Sequence, residues 1–176
     1  MQCVDAFTIE GQDSCSYRRS WQKLSQTALG QTIYTKMTNL NGKMEQLLNN
    51  DSNLIDRHKR YFSELLQCAV DNLDSTEETL KAFLELIGKG HAGFKISAKD
   101  WDTFGEAVVT TVKNRKGLFK SQKETIKAWI ILMSFISDRL GLATKTAVSS
   151  PLVTPRIQML AMMSCSEDKM PYKVCI

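Results

Sequence analysis

Residues 80–91 read LKAFLELIGKGH. Leu80, Leu84 and Ile87 recur at spacings of four and three, which sets them on one stripe of a helix. His91 continues that stripe four residues further on, in a stretch where Gly88, Gly90 and Gly93 end the helix and leave the backbone permissive. A second helix repeats the arrangement. It follows Asn50-Asp51-Ser52-Asn53, a run of good capping residues, and aligns Ile55, His58, Phe62, Leu65, Leu66 and Ala69 on one apolar face. These are the only two histidines in 176 residues. Imidazole ligates metals in its neutral form, and an apolar setting favours that form because desolvation opposes the imidazolium. Two imidazoles directed into the apolar faces of neighbouring helices point to a metal held between those helices, with a satisfied core histidine as the alternative at each position.

The chain is helical in pattern from about residue 13 to residue 140. That span contains no proline and no strict period-two alternation. Helices are predicted over about 13–26, 27–40, 42–48, the Ile55–Ala69 stretch, from Asp74-Ser75-Thr76 through His91, 98–113, and from Ser121 to Leu140. All three prolines, Pro151, Pro155 and Pro171, come later, where the amphipathic rhythm is lost. Residues 1–12 are therefore expected to form an N-terminal tail, 13–140 one domain and 141–176 a flexible C-terminal tail.

A mass of 19.9 kDa suits one domain with a full core. The net charge of +4 is far from the dense basic stripe of a nucleic-acid binder. No apolar run approaches the length of a transmembrane helix. The first residues lack the features of a secretory signal, and neither a myristoylation nor a prenylation motif is present. Five cysteines (Cys3, Cys15, Cys68, Cys165, Cys175) form no paired motif, which suggests reduced thiols and a cytoplasmic location. Two histidines are too few for a zinc site, and no cysteine or acid stands at a ligand spacing beside them. A planar macrocycle needs only one or two axial ligands from the protein, so haem fits the donor set better than a bare ion.

Six stretches then fall in a familiar order: Tyr17-Arg18-Arg19-Ser20-Trp21, Gly30-Gln31-Thr32-Ile33-Tyr34, His58-Lys59-Arg60-Tyr61-Phe62, Leu84–His91 with its Leu-Gly-x-x-His-like ending, Trp101-Asp102-Thr103-Phe104-Gly105-Glu106-Ala107, and Ala128-Trp129. In that order the chain resembles the globins, most of all invertebrate (nematode-type) and neuroglobin-like members, over about residues 13–140. The resemblance implies an all-α fold of seven or eight helices in a three-over-three sandwich around a haem b pocket. It makes His91 the proximal iron ligand, His58 the distal residue and Tyr34 a second distal group. Phe62 would shape the distal side, and Ile96, Trp101 and Phe104 would line the haem. Leu48 stands where the family usually has a phenylalanine on the haem face, and Gly42 where a proline starts the short third helix. Tyr61 takes the place of a cation that meets a propionate, with Arg57, Lys59 and Arg60 as substitutes.

Three functions follow from the resemblance. The first is a non-enzymatic globin that reversibly binds or transports dioxygen or another diatomic gas, with Tyr34 and His58 donating to the bound ligand; on that reading Tyr34→Phe speeds oxygen dissociation. The second is a redox or sensor globin in which His58 itself ligates the iron, and Lys113, Arg115, Lys116, Lys120 and Lys123 dock an acidic reductase or simply form a solvated corner. The third is a haem-free interaction module, for which Leu48 and Gly42 speak.

Overall fold

The structure, a computed structural model, describes residues 18, 21–22, 26–73, 80–114 and 122–148. Among them are six helices and no strand: α1 Gln26–Leu40, α2 Lys43–Leu47, α3 Ser52–Asp71, α4 Lys81–Gly90, α5 Ala98–Lys113 and α6 Gln122–Val148. The expected all-α class is what is found. The start of the helix expected at Asp74, most of the first expected helix and the N-terminal tail lie outside the described residues, as do 149–176.

Local chemistry fixes the helix starts that matter for the site. The Asp51 carboxylate accepts from the backbone N–H groups of Asn53 (2.9 Å) and Leu54 (3.1 Å), satisfying donors that the first turn of α3 leaves free. At α5, the Asp100 carboxylate accepts from both the backbone N–H and the hydroxyl of Ser97, each at 2.7 Å. Between α4 and α5 the chain turns sharply through Gly93 (φ 90°) and Lys95 (φ 55°).

Two close crossings set the helix layout. α1 packs on α3 at Gly30, where a Cβ would lie 1.9 Å from the Lys59 carbonyl oxygen. α4 packs on α6 at Gly88, where a Cβ would lie 2.7 Å from both the Ala143 Cβ and the Leu140 carbonyl oxygen. α5 packs on α6 and on α1. The core sits along these contacts, with Trp129, Phe104, Leu132 and Ile136 essentially inaccessible. Trp21 is buried against Trp129 and donates its indole N–H to Gln67. The helices that carry the two histidines, α3 and α4, share no such packing. α3 is held by α1 and α4 by α6, so a space remains between them.

One expected boundary is corrected. The domain was expected to end near Leu140, but α6 continues to Val148, and Ala143 and Thr144 are buried. The Ser/Thr-rich composition that suggested a tail is compatible with helix because the Thr144 hydroxyl bonds the Leu140 carbonyl one turn back, at 2.8 Å.

Candidate functional site

A cavity of about 410 Å³ occupies the space between α3 and α4. His58 comes from the middle of α3 and His91 from the residue that caps the end of α4. Their ring centres are 6.5 Å apart, with the planes 76° from parallel. Each imidazole is tethered in the same way. Nδ1 of His58 lies 2.8 Å from the Leu54 carbonyl oxygen, and Nδ1 of His91 lies 2.8 Å from that of Ile87, each one turn back on its own chain segment. A carbonyl only accepts, so each Nδ1 carries the proton and donates it. Nε2 on the far side of each ring then keeps its lone pair.

Burial lowers the pKa of both rings below the ordinary histidine value. At His58 the Leu54 hydrogen bond works the other way and the Arg57 charge adds to the lowering. At His91 the Ile87 hydrogen bond opposes burial and His58 adds to the lowering. Both histidines are thereby held in the neutral, ligating form.

The walls are apolar. Phe62 meets Phe104 at 5.2 Å between ring centres, and both line the cavity. Trp101 stands edge-on to His91, 5.1 Å away at 82°. Leu48 is buried in the wall, and Ile96 also lines it. Seven of the eight residues singled out from sequence are thus brought together.

Tyr34 is the exception. It is not part of the cavity wall, and its ring lies beside the Lys59 ammonium, 5.3 Å from the centroid. Gly30, Ile33, Tyr34 and Met37 share a broad face of α1, but Tyr34 sits about 60° around the axis from Met37. The close crossing at Gly30 turns the Met37 edge to the cavity and leaves the Tyr34 edge along α3. The second distal donor expected there is absent from the site.

Sequence reasoning placed Met37 on the inward face of its helix without assigning it to the site and did not pick out Leu54, Phe83 and Phe94; all four line the cavity. Leu54 was within reach, since it precedes His58 by four residues on the same stripe. Among the basic residues near Tyr61, Lys59 pairs with Asp56 at 3.0 Å and Arg60 with Glu64 at 3.3 Å, while Arg57 lines the cavity. Tyr61 itself lies on the cavity wall, edge-on to His58. On the opposite wall Lys43 pairs with Asp100 and donates to the Lys95 carbonyl at 2.7 Å, and Asn41 donates to Asp100 at 3.1 Å. This polar tie joins the α1–α2 corner to the start of α5. Of the proposed reductase-docking cluster, Lys113 and Lys123 are exposed, and Arg115, Lys116 and Lys120 lie outside the described residues.

The donor set decides what the cavity can hold. No group of three or more His, Cys, Asp or Glu residues suited to a bare metal ion occurs among the described residues. A flat apolar group whose metal needs only one or two axial ligands fits this donor count and the apolar walls. Among the described residues, no helix is long and apolar enough to cross a membrane.

No curated protein matches the chain in sequence. The family model described as Globin matches residues 39–140, from the end of α1 into α6 and across both histidines. With that match over more than half its length and an all-helical fold built around the histidine pair, the chain belongs to the globin family, whose members in general bind haem.

Proposed function

We propose that the chain binds haem b between α3 and α4 as a six-coordinate globin, with Nε2 of His91 as the proximal ligand and Nε2 of His58 as the distal one, and that it serves in redox chemistry or sensing. The observation that carries this reading is the shared tether. Because Nδ1 of His58 donates to the Leu54 carbonyl, its Nε2 has no proton to give to a bound gas and has a lone pair to give to a metal. With Tyr34 turned to Lys59, neither distal donor of the gas-carrier reading remains in place.

Bound there, the iron supplies one-electron redox chemistry, and gas binding when one axial place is free. The chain's own residues do the rest. The Ile87 carbonyl orients His91 and raises its basicity as a ligand, as second-shell acceptors do. The Leu54 carbonyl does the same for His58. Phe62, Phe104 and Leu48 line the cavity and would keep water from the group held there. Held by the Leu54 carbonyl, the His58 ring would restrict the access of a diatomic gas to the group bound beside it.

The test is one absorption spectrum of the gas-free, ferrous, haemin-loaded protein. Split, low-spin visible bands are expected. A broad high-spin spectrum would overturn the six-coordinate reading in favour of a gas binder with an open distal place. No Soret band on adding haemin would sink both and leave the haem-free module.

A further inference from the structure

One hydrogen bond to Ile87 holds His91 at a point but leaves its ring free to rotate about that axis. The plane of the ring is instead set by Trp101, which stands edge-on to it at 5.1 Å and 82°. Trp101 is in turn held by its indole N–H, which donates to the Thr144 hydroxyl at 3.2 Å. The Thr144 hydroxyl lies 3.1 Å from the Gly88 carbonyl oxygen and 2.8 Å from that of Leu140, and Thr144 is 4% exposed. Gly88 follows Ile87, so the carbonyl that Thr144 reaches is the next one along from the carbonyl that clamps His91. A single buried hydroxyl on α6 therefore ties both restraints on the imidazole: the wall at its edge and the helical turn behind it.

We infer that Thr144 is a positioning residue for His91, acting through Trp101 and the Gly88 carbonyl to hold the proximal ring nearly perpendicular to His58. The inference rests on the proposed haem-binding reading. Removing the hydroxyl leaves the half-buried indole N–H without its acceptor and takes from the Gly88 carbonyl the proton that Thr144 shares between it and Leu140, so that only the His91 backbone N–H still donates to that carbonyl. It frees Trp101 to shift and the His91 plane to turn with it. Val is close to Thr in shape, so the change is one of hydrogen bonding more than of volume.

The angle between axial imidazole planes is readable. In low-spin ferric haem, near-perpendicular planes give one strongly anisotropic electron paramagnetic resonance signal dominated by a large g value, and parallel planes give a rhombic three-line signal. The haem-loaded full chain is expected to show the anisotropic signal, and the present plane angle is 76°. Thr144→Val is expected to lose it for a rhombic or mixed signal, and Thr144→Ser, which restores the hydroxyl, to keep it. A wild-type signal in T144V overturns the inference. If T144V does not load haem, Trp101→Phe, which removes the indole N–H and keeps an aromatic ring, is expected to shift the signal, and an unshifted one overturns it. A high-spin wild-type protein would count against the six-coordinate reading alone. The iron–His91 stretching band of the ferrous protein then carries the same comparison, with a shift in T144V expected and no shift overturning the inference.

Discussion

The two sides of the cavity hold their histidines by one device and brace them unequally. His58 and His91 each donate Nδ1–H to the carbonyl four residues back, at the same 2.8 Å. Behind His91 stand Trp101, the Gly88 crossing and the buried α6 extension with Thr144. Around His58 stand Phe62, at 6.4 Å and 66°, and Tyr61, at 6.2 Å and 42% exposed. Identical local chemistry is thus braced closely on the His91 side and loosely on the His58 side. The difference comes from tertiary packing, because α4 is pressed onto α6 while α3 leans away on α1.

The largest expected effect comes from removing each ring in turn. Loss of a partner that merely orients a ligand costs about 10–100-fold in affinity, so His91→Ala is expected to cost more than that in haem retention. His58→Leu, which keeps an apolar wall, should retain haem, turn the gas-free ferrous spectrum high-spin and speed carbon monoxide binding. The check is haem transfer to an acceptor protein beside rapid-mixing spectra. Equal haem loss in both variants would erase the asymmetry between the two sides.

A step smaller are the two helix crossings that create it. A Cβ at Gly30 meets backbone at 1.9 Å, so Gly30→Ala must push α1 off α3. A Cβ at Gly88 meets the Ala143 Cβ and the Leu140 carbonyl at 2.7 Å. Overpacking of this kind costs about 1–3 kcal/mol and occasionally more. Gly30→Ala is expected at or above the top of that range and Gly88→Ala within it, by denaturant unfolding. Gly88→Ala should also disturb the His91 side alone, which shows as altered spin state at the iron. A milder Gly30→Ala would mean that α1 and α3 are less tightly set than the crossing distance indicates.

How much of this was open to reading from sequence differs by element for physical reasons. α5 was expected over 98–113 and runs Ala98–Lys113, because Ser97 and Asp100 signal its start locally. The histidine pair was legible because a spacing of three and four fixes which side chains share a helix face. Tyr34 was not, because its stripe is broad and only the crossing at Gly30 decides which edge faces the cavity. The end of α6 was missed because Ser and Thr read as linker until Thr144 is seen bonded within the helix. The Lys43–Asp100 tie joins residues far apart in sequence and leaves no local sign at all.

That tie, between the α1–α2 corner and the start of α5, gives a pH signature. Burial acts to raise the Asp100 pKa, but the Lys43 and Ser97 hydrogen bonds and the Lys43 charge outweigh it and hold the carboxyl below its ordinary value. A carboxylate depressed in the folded state stabilises the fold above its unfolded pKa of about 3.9, and that stability is lost as pH falls through the folded value. Asp100→Asn is therefore expected to lower Tm by a few degrees at neutral pH, with the gap to wild type closing in acid. A gap that stays constant down to strongly acid pH would show that the Asp100 charge contributes nothing.

The smallest effect is expected at Tyr34, where the α1 edge along α3 is weighed against the edge facing the cavity. Donation from this hydroxyl to a bound gas would make Tyr34→Phe release oxygen faster. With the ring beside the Lys59 ammonium and outside the cavity wall, the substitution removes a hydroxyl from a half-buried surface site. Such changes usually stay within about 0.5 kcal/mol, and the oxygen dissociation rate should be unchanged. Met37→Tyr, which puts a hydroxyl on the edge that does line the cavity, is expected to slow dissociation instead. Stopped-flow measurement of both variants decides it. A several-fold faster rate in Y34F would mean that α1 turns its other edge to the ligand once haem is bound.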